Sequence, residues 1–346
     1  MKLIIQIPCL NEESSLPATL ADLPRSVAGF SSVEWLIVDD GSTDQTVQVA
    51  RDLGVDHVVR LTNNKGLAAA FQAGLDASLK LGADVIVNTD ADNQYNAADI
   101  PALLEPILSG RADMVVGDRQ VRDLEHFSGA KKLLQRLGSA VVRRASGTTV
   151  PDTTSGFRAY NREAALQLQV VSNFTYTLES LIQAGKNLVA VEHVAVRTNQ
   201  TERPSRLFSS NSRYVRRNGL AIARAYASHE PLRVFSFLGA AFALLALAAF
   251  MPFLVDWIFN GDTSGHLQSL LVGAVLTLIA VQMLALGVIG DALAANRVIS
   301  QRTYERVRRL ELEAGVAPSH YEPGGFRTAE REPADRGRAG GDPVEL

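Results

Sequence analysis

Two uncharged apolar stretches constrain this chain more than anything else in it. Val234 to Val255 runs for 22 residues without a charge, and Leu267 to Gly290 adds 24 more. Each exceeds the ~20 helical residues that cross a hydrocarbon core of ~30 Å, whereas buried helices of soluble domains usually carry shorter apolar runs. The polar stretch Asp256–His266 separates them, with Trp257 at an expected interface position. The pattern predicts a membrane hairpin.

Positive charge orients that hairpin. Arg197 to Arg233 carries eight arginines against Glu202 and Glu230, and Arg297, Arg302, Arg306, Arg308 and Arg309 follow the second stretch. The intervening loop has no Lys or Arg. The positive-inside rule then places both termini in the cytoplasm. The opening Met1–Pro8 is too short an apolar run for a signal peptide. Residues 1–230 are therefore expected to be cytosolic, anchored to the cell membrane by a multi-pass hairpin of two spans.

Composition removes several alternatives. With 47% apolar and 21% charged residues the chain can bury a core. A net charge of −3 gives no bulk attraction for nucleic acid. The single cysteine, Cys9, excludes an intrachain disulfide and a cysteine-based zinc site.

Within the cytosolic part, short β-branched runs alternate with helical patterns. Strands are predicted at Leu3–Ile7, Trp35–Val38, His57–Leu61, Asp84–Asn88 and Met114–Val116, with helices at Ser15–Leu23, Thr43–Leu53, Gly66–Leu81 and Ile100–Leu108. Such alternation makes an α/β domain with a mostly parallel, Rossmann-like sheet, whose ligands sit at the carboxyl ends of the strands. Those ends are unusually polar. They read Pro8-Cys9-Leu10-Asn11-Glu12, Asp39-Asp40-Gly41-Ser42, Asn63-Asn64-Lys65-Gly66, Asp90-Ala91-Asp92-Asn93-Gln94 and Gly117-Asp118-Arg119. One such turn is ordinary; five facing one crevice predict a site. In Asp90-x-Asp92 two carboxylates lie one residue apart, and Gln94 continues the spacing. Hard oxygen donors from so few side chains suit Mg²⁺ or Mn²⁺, which fills its shell with water and phosphates. A dinucleotide-binding loop would need G-x-G-x-x-G after the first strand, where this chain has Pro-Cys-Leu-Asn-Glu-Glu.

Together, Ile7-Pro8-x-x-Asn11-Glu12, Val38-Asp39-Asp40-Gly41-Ser42-Thr43-Asp44, Asn64-x-Gly66 and Asp90-Ala91-Asp92-x-Gln94 resemble the GT-A domain of family 2 glycosyltransferases. Within that family the chain is similar to polyprenyl-phosphate (dolichyl-phosphate) mannosyl- and glucosyltransferases. The resemblance covers roughly residues 1–210 and implies a nucleotide-sugar donor, UDP- or GDP-linked. It implies that Pro8, Glu12, Asp39 and Asp40 hold base and ribose, with Asn11, Gly66 and Ala91 completing the donor site, and that Asp90, Asp92 and Gln94 hold the divalent ion on the diphosphate. Gly117-Asp118-Arg119 matches the family's Gly-x-Arg, whose arginine contacts the phosphates. Thr154-Ser155-Gly156-Phe157-Arg158 matches its acceptor-side SGFR motif. Asp92, Arg119 and Arg158 are thus the expected catalytic residues.

Membrane anchoring fits a polyprenyl phosphate acceptor. A phosphomonoester has a second pKa near 6 and is already an anionic nucleophile at neutral pH, so no general base is required. Positive charge is what the site must supply. Arg119, Lys131, Lys132, Arg136, Arg158, Arg203 and Arg206 are the candidates, with Lys131, Ser155, Arg203 and Arg206 assigned to the acceptor phosphate. Relatives carry an R-x-x-G-x-S-K-L-like run before the membrane. Here Gln200 stands at its arginine and Arg203 at its glycine, leaving open which arginine meets the phosphate. The expected reaction is single displacement with inversion at the anomeric carbon, as the resemblance implies. A lipid hydroxyl acceptor such as diacylglycerol remains an alternative and would need a base, Asp152 or Glu179. A non-catalytic nucleotide-sugar-binding scaffold is the other alternative.

The expected boundaries are a GT-A domain over 1–208, a basic amphipathic juxtamembrane segment over 209–232, spans at 233–257 and 267–291 around an external loop at 258–266, a cytosolic basic helix over 292–315 and a disordered tail over 316–346. Small residues in the spans leave homo-oligomerisation open.

Overall fold

A computed structural model describes residues 1–120, 143, 146–170, 176–199, 230–259, 261 and 265–324. Its strands are β1 (Lys2–Cys9), β2 (Ser32–Asp39), β3 (His57–Arg60), β4 (Val85–Asn88), β5 (Met114–Asp118), β6 (Arg158–Asn161), β7 (Val191–Ala195) and β8 (Tyr321–Pro323). They form one sheet in the order β7-β5-β6-β4-β1-β2-β3-β8. The helices are α1 (Leu16–Asp22), α2 (Thr46–Asp52), α3 (Leu67–Lys80), α4 (Ile100–Leu108), α5 (Arg162–Gln167), α6 (Tyr176–Lys186), α7 (Pro231–Phe259) and α8 (Leu267–Glu313).

β1 is central because both its faces are covered. Leu3, Ile5 and Ile7 join one apolar cluster with Leu16, Leu20, Val47 and Leu103; Ile4 points the other way, toward Phe71 and Leu75 of α3. A strand buried on both faces reads as a continuous apolar run, which is why β1, β2 and β4 are visible in sequence. Pro8 costs little here, since β1 pairs with β4 only through Gln6.

The sheet is mixed. β6 runs antiparallel between β4 and β5, and β8 runs antiparallel against β3. β6, β7 and β8 were not foreseen from the sequence pattern. β6 brings Arg158 opposite Asn88 and Val116, so the SGFR motif enters the sheet beside the strand that ends in Asp90.

α7 and α8 are long and apolar enough to cross a membrane. Their large side chains face outward: Phe237 is 77% exposed and Leu244 69%. A pair of buried core helices would show the opposite. Where the helices meet, glycines make room for the facing helix: a Cβ on Gly273 would fall 2.6 Å from the Phe250 ring, and one on Gly239 3.2 Å from the Ala280 carbonyl.

Beyond the hairpin the structure joins two expected helices and corrects one expectation. The second apolar stretch and the following basic segment form one uninterrupted helix of 47 residues, about 70 Å long. The segment from 316, expected to be disordered, contains β8. Composition weighed only the apolar area it could bury; it missed that the open edge of β3 offers backbone partners. Arg60 N–H donates to the His320 carbonyl at 2.9 Å and Gly324 N–H to that of Asp56 at 3.0 Å. The Tyr321 hydroxyl lies 3.0 Å from His57 Nδ1, and Glu322 pairs with Arg51.

The end of α8 is locked to the N-terminal domain. Arg308, 5% exposed, donates to the carbonyls of Ala165, Leu166 and Leu168 at 2.9, 2.9 and 3.2 Å, capping α5, and pairs with Asp76 at 2.5 Å. Lys80–Glu311 (3.0 Å) and Arg309–Glu163 flank it. Closer to the apolar stretch, Arg297 meets Glu179 of α6 at 3.3 Å.

Candidate active site

The loops after β1 and β2 are stitched together. Asn11 N–H donates to Ser42 Oγ (2.9 Å) while Asn11 Oδ1 accepts from Thr43 N–H (2.8 Å). Glu12 N–H donates to Thr46 Oγ1 (2.8 Å), and the Ser15 hydroxyl donates to the Glu12 carboxylate. Asn11 takes a φ of +54°, a conformation asparagine tolerates better than most residues. Asp39 Oδ1 accepts from Ser42 N–H at 3.0 Å, whereas its buried Oδ2 has no hydrogen bond and lies 3.5 Å from Arg60 Nε. That oxygen is suited to a donor nucleoside.

Asp40 is spent differently from expectation. Its two oxygens accept from Lys65 N–H (2.7 Å) and Gly66 N–H (2.9 Å), fixing the turn into α3. Burial raises its pKa despite those bonds. Gly41, at φ +76°, lies under that turn: a Cβ would sit 2.6 Å from the Asn63 carbonyl carbon. Asp40 thus shapes the loop that carries Gly66 rather than presenting a carboxylate to the donor.

Asp90 follows β4 by two residues, and Asp92 closes an Asx turn on Gln94 N–H (3.1 Å). Burial, then the neighbouring Asp92 carboxylate, pushes Asp90 up to about 7 against the pull of Arg119 and Arg158. Two carboxylates that resist joint ionisation are stabilised by a divalent cation. With the Gln94 amide oxygen they would offer an all-oxygen donor set of the kind Mg²⁺ or Mn²⁺ takes. Among the described residues no cluster of three or more His, Cys, Asp or Glu could serve as a metal cage, so water and substrate oxygens would complete the shell.

A buried polar scaffold holds this pair. Gln6 Nε2 donates to Asn88 Oδ1 (2.8 Å), and Asn88 Nδ2 donates to the Gly156 carbonyl (2.8 Å) and the Tyr176 hydroxyl (3.1 Å). Gly156 N–H donates to the Tyr95 hydroxyl at 2.9 Å. A Cβ on Gly156 would lie 3.1 Å from each Asp90 oxygen and 2.7 Å from Tyr176 Oη, so glycine is what lets this loop touch the carboxylate. Ala91 is buried and its carbonyl accepts from Thr19 Oγ1 (2.9 Å) of α1. On the far side, the Gln94 carbonyl accepts from Asn199 N–H at 2.9 Å.

Sequence reasoning missed Gln6, Asn88 and Tyr95. Their signal was present: Gln6 and Asn88 are amides inside strands that are otherwise apolar. A buried amide needs partners.

Arg119 and Arg158 separate in role. Arg119 grips Asp152 through Nε (2.7 Å) and Nη2 (3.1 Å), and Nη2 also reaches Thr154 Oγ1 at 3.0 Å. Burial would raise the Asp152 pKa, but Arg119 holds it below the usual carboxylate range. Arg119 remains partly exposed beside Asp90 and Tyr95. Arg158 is fully buried, contrary to a catalytic assignment. It donates to the carbonyls of Ser155 (2.7 Å), Thr177 (2.9 Å) and Thr153 (3.0 Å) and to Ser180 Oγ (2.8 Å), tying the SGFR loop to α6. Arg158 is a positioning residue. The Ser155 hydroxyl is buried without a hydrogen-bond partner. Lys131, Lys132, Arg136, Arg203 and Arg206 lie outside the described residues.

The mixed, mostly parallel sheet agrees with the comparisons. Residues 4–168 match the family model "Glycosyl transferase family 2". The undecaprenyl-phosphate mannosyltransferase of Micrococcus luteus is 33% identical over 205 residues, covering 55% of this chain and 82% of that protein. The chain belongs to glycosyl transferase family 2. Glycosyltransferase AglJ of Haloferax volcanii is 28% identical over 315 residues, 89% of this glycosyltransferase and 97% of that one, so that match extends through the apolar hairpin. Among solved structures, the glucosyl-3-phosphoglycerate synthase of Mycobacterium tuberculosis, in complex with Mn²⁺, UDP and glucosyl-3-phosphoglycerate, superposes with a TM-score of 0.51. Its sequence identity is 24%, over 64% of this chain and 79% of that one. That likeness places this family 2 glycosyltransferase in the GT-A fold.

Proposed function

We propose that this chain transfers a hexose from a UDP- or GDP-linked donor to a polyprenyl phosphate, with inversion, at the cytoplasmic face of a membrane. One observation carries the reading: the Asp90–Asp92 carboxylate pair, in which burial and Asp92 raise the Asp90 pKa, sits on a domain tied to an apolar hairpin through Arg308 and Arg297. The name of the Micrococcus luteus relative supplies the acceptor class.

The chain's own residues divide the chemistry. Asp39, through Oδ2, binds the nucleoside; the turn fixed by Asp40 shapes the wall beside it. Asp90, Asp92 and Gln94 would hold Mg²⁺ or Mn²⁺, which when bound would supply positive charge against the departing diphosphate. Arg119 sits where it can exchange part of its grip on Asp152 for a phosphate oxygen. Arg158 and the Gln6–Asn88–Tyr176 scaffold keep Asp90 in place, so positioning rather than a nucleophilic side chain lowers the barrier.

A hydroxyl acceptor fits less well. The two carboxylates named above as its base are engaged, Asp152 with Arg119 and Glu179 with Arg297, and the Arg119 guanidinium lowers the Asp152 pKa, which makes it a weaker base. The deciding experiment offers purified full-length protein UDP- and GDP-sugars with polyprenyl phosphate or diacylglycerol, with and without Mg²⁺ or Mn²⁺. Transfer to polyprenyl phosphate that stops on chelation is the expected result. Transfer to diacylglycerol alone overturns the acceptor assignment, and turnover of no donor favours a scaffold. Protease accessibility of the N-terminal domain in oriented vesicles tests the cytoplasmic placement.

A further inference from the structure

A cleft of about 540 Å³ opens at the carboxyl ends of β2 and β3, away from Asp90. Ser42 and Thr43 of the loop after β2 line it, with Arg60 of β3; its outer wall is His320 and Glu322, from the segment that follows the hairpin. This wall is built. The His320 carbonyl accepts from Arg60 N–H at 2.9 Å, β8 pairs with β3, and Arg51 of α2 holds Glu322. Next to it, the buried Asp39 Oδ2 has no hydrogen bond and lies 3.5 Å from Arg60 Nε, whose side chain is half exposed.

The spacing of the sheet connects this cleft to the metal pair. β4, β1, β2 and β3 are successive neighbours, so three strand spacings, about 14 Å, separate the strand of Asp90 from the cleft. An extended nucleoside diphosphate with its phosphates at Asp90 and Asp92 crosses β1 and β2 and brings its nucleoside to this place. The lining offers what a ribose and a base require: a carboxylate and two hydroxyls for the diol, and a guanidinium and an imidazole for ring edges and faces. We propose that the C-terminal segment forms the outer wall of the nucleoside end of the donor site, with Glu322 and His320 contributing to nucleotide affinity and choice. The inference rests on the nucleotide-sugar reading above. It gives a donor-binding role to residues that follow the membrane helices in sequence.

The test uses the full chain in detergent with Mn²⁺ and titrates UDP, GDP and inorganic pyrophosphate calorimetrically. Pyrophosphate carries the phosphates without the nucleoside. Two variants are compared with the parent: Glu322→Gln, which keeps the strand, and His320→Gly, which keeps the positive φ of +57°. The expected result is a five- to twentyfold weaker Kd for the preferred nucleotide and less than a twofold change for pyrophosphate. Nucleotide affinity unchanged within twofold in both variants overturns the proposal. So does an equal loss for nucleotide and pyrophosphate, which would mean that β8 only braces the domain. A parent protein that binds pyrophosphate but neither nucleotide overturns the donor reading itself, and this inference with it.

Discussion

Replacing Gly156 by alanine tests how the carboxylate pair is held. The φ of Gly156 lies outside the left-handed region, so alanine meets no backbone penalty there. What it meets is space already taken: Tyr176 Oη at 2.7 Å and both Asp90 oxygens at 3.1 Å. Tyr176 is 1% exposed, stacked on Phe71 with ring centroids 4.0 Å apart, and cannot swing away. Overpacking of this kind costs about 1–3 kcal/mol. The expected outcome for Gly156→Ala is a loss of that size by thermal or denaturant unfolding, together with at least tenfold weaker Mn²⁺ binding as Asp90 is pushed from its seat. Adding Tyr176→Phe removes the closer clash but leaves the one with Asp90. The double variant should therefore recover about 1 kcal/mol of coupling energy without recovering Mn²⁺ affinity. Parent-like Mn²⁺ binding in Gly156→Ala would refute the reasoning, since it would show that Asp90 can move freely and still bind.

Asp92→Asn should abolish turnover while the protein still folds and inserts, measured as transfer beside a melting curve; full activity would remove the metal from the account. Arg308→Ala leaves three carbonyls of the α5 end and Asp76 without their cation, and should cost about 2–4 kcal/mol, read as faster limited proteolysis between α8 and the catalytic domain. Glu34 gives a pH signature. Its partial burial raises its pKa, but hydrogen bonds from His57 and Lys2 outweigh this and hold it at about 2 instead of 4.5. A depressed carboxylate stabilises above its unfolded pKa, so about 2–3 kcal/mol is present at neutral pH and is lost as pH falls from about 4.5 toward 2. Glu34→Gln should be less stable than the parent at pH 7, with the gap closing by pH 2–3; a gap independent of pH would exclude the ion-pair explanation.

The strands that carry the site were legible because burial on both faces writes a continuous apolar run, as in Leu3–Ile7 and Trp35–Val38. The carboxylate pair was legible for a related reason, being polar residues directly after such a run. What stayed hidden depends on partners far away in sequence. Arg158 reads as a phosphate ligand by motif, and only the carbonyls of Thr153, Ser155 and Thr177 around it reveal a brace. Asp40 reads like Asp39, yet its oxygens face the backbone of Lys65 and Gly66. β8 has almost no apolar signal, because its ordering comes from edge pairing and from Arg51 and His57, some 264 residues or more away.

The uninterrupted α8 has a mechanical consequence. With its apolar stretch seated in a bilayer, Arg297 stands seven residues past Gly290, about 10 Å above the end of that stretch. There it meets Glu179, one turn along α6 from the tyrosine that buttresses Asp90. A jointed linker would let the catalytic domain sample many heights and tilts. A single helix pinned at Arg297 and again at Arg308 would work instead as a gauge, holding Asp90 at one height above the end of the apolar stretch. On the acceptor proposed above, such a gauge would select by where a phosphate sits along the membrane normal.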